Sequence, residues 1–143
     1  MNRKYTNRRY LDALQEHVLI FDGAMGTSLQ RMNLTAEHFG GERTVGCNDY
    51  LVITYPAAVE AVHRSFLDVG VDVIETCTFR SNRLTLAEYG LADRTLEINQ
   101  SAARLARSLA DEYSQKTGQP RFVAGSIGPS GKWRRPSAGT STG

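Results

Sequence analysis

Three short apolar runs, each halted by polar or glycine-rich residues, alternate along the chain with stretches whose apolar residues recur every three or four positions. The runs are Val18-Leu19-Ile20-Phe21, Val71-Asp72-Val73-Ile74 and Phe122-Val123-Ala124-Gly125-Ser126. A short apolar run bounded by a turn signal predicts a strand buried on both faces, as in a parallel sheet. Pro56, at a favoured first-turn position after a Thr54 cap, opens a helix with Val59, Val62, His63, Phe66 and Leu67 on one side and Gly70 as its stop. A short helix is predicted over residues 82–89, closed by Gly90. A long one follows from an Asp93 cap through Leu96, Ala103, Leu105, Ala106, Leu109 and Tyr113 to about Lys116, broken by Gly118-Gln119-Pro120. Residues 10–16 predict a first short helix with Leu11 and Leu14 on one side. Residues 24–54 read as a long irregular connection, with one helical turn over 28–32, and long connections in compact domains are usually functional or mobile.

Strands alternating with helices predict an α/β fold with a parallel sheet, whose chemistry sits at the carboxyl ends of the strands. Here those ends are Asp22-Gly23, Glu75-Thr76-Cys77-Thr78 and Ser126-Ile127-Gly128-Pro129. Asp22 either accepts a bond from a ligand's ammonium group or makes its own turn bond, and Gly23 lets backbone approach a small ligand. Period-two geometry places Glu75, Cys77 and Phe79 on one face and Thr76 and Thr78 on the other. Those threonines either line a pocket or serve β propensity alone. The glycines around residue 23 have neither P-loop nor Rossmann spacing. Cys47 sits in a loop with no base nearby and is expected to be an unreactive thiol. His63 is expected to pack, and no Cys and His positions show structural-zinc spacing.

Composition narrows the class. The chain has 143 residues, 41% hydrophobic and 22% charged, which suits one packed domain and excludes disorder as the whole answer. No run of about 18 apolar residues is present, so no membrane-spanning helix is predicted. Two cysteines cannot build a disulfide framework. Removing Arg134 and Arg135 of the acid-free tail from a net charge of +2 leaves residues 1–132 at zero, which argues against a nucleic-acid surface. Residues 1–9 are basic but lack the Ser-rich or apolar text of a leader, and a cytoplasmic protein is expected. The expected organisation is a flexible N-terminus over 1–9, a folded region over 10–132 and a disordered tail over 133–143.

In this order the motifs resemble the homocysteine S-methyltransferase family, and within it the homocysteine-binding amino-terminal domain of cobalamin-dependent methionine synthases. The resemblance rests on residues 20–27 (IFDGAMGT), 46–51 (GCNDYL), 62–66 (VHRSF), 72–76 (DVIET), 78–79 (TF), 89–91 (YGL) and 124–131 (AGSIGPSG), and covers about residues 10–132. It implies a (β/α)₈ TIM barrel, of which this chain holds about the first three βα units. It also implies zinc-activated methyl transfer to homocysteine, with the methyl group from methylcobalamin and methyltetrahydrofolate in the full-length family. Asp22 and Gly23 would meet the amino-acid end of homocysteine, and Glu75, Thr76 and Thr78 would line the pocket floor. Alternatives are a cobalamin-independent homocysteine S-methyltransferase, a non-catalytic homocysteine binder, and a half-barrel that assembles with the missing remainder or with other copies.

Two departures qualify the resemblance. Cys77 stands where the family usually has Asn. A complete barrel needs about 250 residues, and the family's zinc-binding cysteines lie in later strands, to which Cys47 and Cys77 do not correspond. Zinc is therefore expected not to be bound by this chain alone. The change of text after Lys132 predicts a truncated or frame-shifted product, with low stability and a tendency to assemble.

Overall fold

Two parallel strands, β1 (Val73–Glu75) and β2 (Phe122–Ala124), pair in the register Val73 with Phe122, Ile74 with Val123 and Glu75 with Ala124. They belong to a computed structural model that describes residues 8–131. The expected tail over 133–143 lies outside the described residues. So does the expected flexible N-terminus, except that the first helix, α1 (Arg8–Glu16), already begins at Arg8.

The first apolar run joins the sheet by a single parallel bridge, Phe21 to Val73. A full strand was expected there. The Ile20 N–H instead donates to the Asp72 carboxylate at 2.9 Å, while Ile20 O receives the Asp72 and Val73 amides, which leaves no regular ladder. Nor is the run buried on both faces. Val18 is 84% exposed and Ile20 58%, because no described residue covers that edge.

Successive strand side chains point to opposite faces. Val73 and Phe122 pack with Ala13 of α1, whose Tyr10 ring meets Phe122 edge-on at 5.3 Å. α1 buries Ala13 rather than the expected Leu14, which is 52% exposed. Ile74 faces the other way, into a layer built by α4 (Pro56–Asp68) and α6 (Thr95–Thr117) through Leu67, Ala106, Leu109 and Tyr113.

The buried stripe of α6 is Ile98, Ala102, Ala106, Leu109, Ala110 and Tyr113, at helical spacing. Leu96, expected on that face, is 69% exposed. The cap of α6 is Arg94, not Asp93, because Asp93 lies in a short 3₁₀ turn and pairs with Arg83 at 2.9 Å. Likewise Tyr55 precedes Pro56 of α4, since Thr54 still belongs to the turn α3 (Leu51–Thr54) and donates to Tyr50 O at 3.4 Å. Gly118, at φ +70, ends α6 in the left-handed conformation that favours glycine.

Residues 24–54 are more ordered than their composition predicts. They contain α2 (Met25–Gln30), 3₁₀ turns at Glu42–Thr44 and Asn48–Tyr50, and α3. Leu29, Phe39, Tyr50 and Leu51 anchor them on α4 in the larger apolar cluster. The short helix after β1 begins as expected: in α5 (Arg83–Leu86) the Asn82 Oδ1 accepts the Leu84 and Thr85 amides at 3.1 Å. No helix among the described residues is long and apolar enough to cross a membrane.

Candidate functional site

The carboxyl ends of the Phe21 segment, β1 and β2 open into one cleft of about 340 Å³. Its walls come from residues 22–27, 46–49 and 75–80, with Leu86, Tyr89 and Ser126. All five residues singled out from the sequence, Asp22, Gly23, Glu75, Thr76 and Thr78, line it.

Asp22 is held on three sides. Its N–H donates to Val73 O at 2.9 Å, its Oδ1 accepts the Glu75 N–H at 2.7 Å, and its Oδ2 stands 3.5 Å from His63 Nδ1. The carboxylate thus bonds across to β1 rather than within its own turn. Its side chain is only 4% exposed. Ala24, in the left-handed region at φ 53, then turns the chain into α2. Glu75 remains exposed, with its Oε2 accepting the Ser126 hydroxyl at 3.3 Å.

β1 ends at Glu75, so strict alternation does not continue through Phe79. Thr76, Cys77 and Thr78 are all buried. The Thr78 hydroxyl donates to Ser126 O at 2.8 Å, and Thr76 Oγ1 accepts the Ser126 N–H at 3.1 Å. With the Thr78 proton committed, Thr76 donates to Thr78 across 2.6 Å. These threonines tie the end of β1 to the end of β2.

Asp49 is a buried site residue that sequence reasoning did not single out. Its Oδ2 accepts the Arg80 N–H at 2.7 Å and the Ser81 hydroxyl at 2.8 Å. Burial holds its carboxyl above the ordinary value of 3.8, against the lowering effect of those bonds. The available signal was an acid directly before the apolar run Tyr50-Leu51-Val52. Arg80, also missed, enters the wall and pairs with Glu88 at 2.9 Å.

Both cysteines line the cleft and are buried. Burial pushes the Cys47 thiol up to about 11, and burial with the nearby Asp49 carboxylate also pushes the Cys77 thiol up. A thiolate metal centre needs its cysteines deprotonated and at least a third donor. Among the described residues no three His, Cys, Asp or Glu side chains gather where they could hold one cation. The described residues therefore do not fit a three-thiolate zinc site.

What remains is a recess for a small molecule. Its acidic residues Asp22 and Glu75 suit a cationic group, and Met25, Leu86, Cys47 and Cys77 offer it an apolar wall. The family model described as homocysteine S-methyltransferase matches residues 19–142. Methionine synthase of Mycobacterium tuberculosis (strain ATCC 25618 / H37Rv) is 41% identical over 122 residues, which is 85% of this chain and 10% of that protein. The crystal structure of the homocysteine methyltransferase MmuM from Escherichia coli, in its metallated form, shares the fold. That match has a TM-score of 0.67 at 21% identity, over 82% of this chain and 40% of that one. The chain thus spans a tenth of the length of that methionine synthase and two fifths of that solved chain.

Proposed function

The chain belongs to the homocysteine S-methyltransferase family, and on that premise we propose that its cleft holds the amino-acid end of homocysteine for methyl transfer to the substrate sulfur. The observation that carries this is the pairing of Asp22 with Glu75. Two acidic residues from neighbouring strand ends are joined through the Glu75 N–H at 2.7 Å and flank one cleft. A substrate ammonium would lie against them, with Gly23 leaving backbone room, since a Cβ there would meet nothing within 4 Å. Thr76 and Thr78 would form the floor.

On this reading the chain is the opening part of a (β/α)₈ barrel, about three βα units, in which a ligand would meet strand ends; the small parallel sheet and the likeness to the solved methyltransferase support it. Thiolate activation, which bound zinc supplies in such enzymes, is assigned to no described residue, and neither is the place of methylcobalamin. Titration of the chain with L-homocysteine and with 4-mercaptobutanoate, which lacks the ammonium group, tests the proposal. Homocysteine should bind saturably, and the deaminated analogue at least about tenfold more weakly, as expected for a lost charge-assisted bond. Equal binding of the two, or none, would contradict it.

The exposed edge at Val18, Ile20 and Phe21 favours assembly as well. An apolar strand edge is a template for further pairing, here with the remainder of such a barrel or with another copy. Mass in solution should rise with protein concentration. A chain monomeric throughout would contradict pairing between copies.

A further inference from the structure

We propose that His63 is a positioning residue for Asp22, with its Nδ1–H donating to Asp22 Oδ2 and fixing the carboxylate that meets the ligand's ammonium. The inference rests on the cleft being an amino-acid site, as proposed above. It starts from a buried polar group that packing does not explain. His63 sits on α4 among Val59, Val62 and Leu67 and has no exposed surface, yet neither ring nitrogen has a hydrogen-bond partner among the described residues. A buried donor left without a partner is costly. A neutral imidazole carries one N–H, so the choice of tautomer decides which nitrogen needs an acceptor.

Asp22 resolves that choice. Its Oδ2 lies 3.5 Å from His63 Nδ1, just beyond a good bond, and both side chains are almost fully buried. A shift of a few tenths of an ångström closes the contact. The other oxygen, Oδ1, already accepts the Glu75 N–H at 2.7 Å. One donor on each oxygen, one from a helix and one from a strand end, fixes the rotation of the carboxyl group. Held in this way, Asp22 loses little freedom when a ligand arrives, and lower ordering cost raises affinity.

The test combines a spectrum of the unmodified chain with two substitutions. Nitrogen-15 NMR of the full chain should show His63 as the Nδ1–H tautomer without ligand. His63→Asn keeps a donor near the Nδ1 position, and His63→Leu keeps bulk alone. With both variants shown to be folded by their amide spectra, His63→Leu should weaken L-homocysteine binding by about tenfold while His63→Asn stays within about threefold of the unmodified chain. A purely structural role would shift thermal stability without separating the two variants in affinity. An Nε2–H tautomer, or His63→Leu binding as tightly as the unmodified chain, would overturn the proposal. If the unmodified chain binds no homocysteine, the functional proposal fails, and the tautomer still decides the His63–Asp22 contact.

Discussion

The hydroxyls of Thr76 and Thr78 meet at 2.6 Å and pass their hydrogen bonds on to the backbone of Ser126, so two threonines after β1 hold the loop after β2. The candidate site is therefore a joint between two strand ends. Its polar side chains are committed to architecture before any ligand arrives.

Thr78→Val keeps the shape of the side chain and removes the donor to Ser126 O. The loss of that bond, with a part-buried carbonyl and the buried Thr76 hydroxyl left short of a partner, should cost about 1–3 kcal/mol. Urea unfolding should show a lower midpoint with little change in slope. An unchanged midpoint would mean that the threonine network adds nothing to the joint.

Gly128 is the second fastening. Its N–H donates to Phe79 O at 2.9 Å, and a Cβ on it would clash with that same backbone oxygen. Gly128→Ala should therefore drive the two loops apart and destabilise the chain by about 1–3 kcal/mol, as overpacking does. Amide exchange should quicken at Gly128 and Thr78 while α6 stays protected.

Asp49 sets a pH dependence. Burial raises its carboxyl above 3.8, so the folded chain takes up this proton more readily than the unfolded chain. The contribution favours the fold fully below the unfolded-state value and is lost as pH rises through the folded-state value. Asp49→Asn removes the charge, and its single carbonyl oxygen can still accept the Arg80 N–H and the Ser81 hydroxyl, which both bind Oδ2. The variant should match or exceed the stability of the unmodified chain at pH 7, with that advantage shrinking toward pH ~4. Urea midpoints of the two proteins at both pH values measure the difference. A variant less stable at pH 7 by the same margin as at pH 4 would contradict it.

Cys47 and Cys77 should stay silent toward a thiol reagent in the native chain, because both are buried and their thiols are pushed up, Cys47 to about 11. Both should react once the chain is unfolded in denaturant. Rapid labelling of either under native conditions would show that the cleft opens.

The order of strands and helices was legible because periodicity reports burial, and Pro56, Asn82, Gly90 and Gly118 mark ends through local backbone chemistry. The five cleft residues were legible because strand ends in a parallel sheet gather ligands. What escaped depends on tertiary partners. Val18-Leu19-Ile20-Phe21 reads as a buried strand, yet whether it is one depends on neighbours that the run itself does not encode. Thr54 and Asp93 are good caps by type and were displaced by an adjoining turn and an ion pair. Asp49 shows the same limit, since its importance comes from Arg80 and Ser81, about thirty positions away.

The most direct test of the central claim is an amide NMR titration of the full chain with L-homocysteine, repeated with Asp22→Ala. Saturable shifts at Gly23, Glu75 and Thr78, lost or weakened by about tenfold or more in the variant, are the predicted result. Shifts that never saturate, that map away from the strand ends, or that persist unchanged in Asp22→Ala would contradict it.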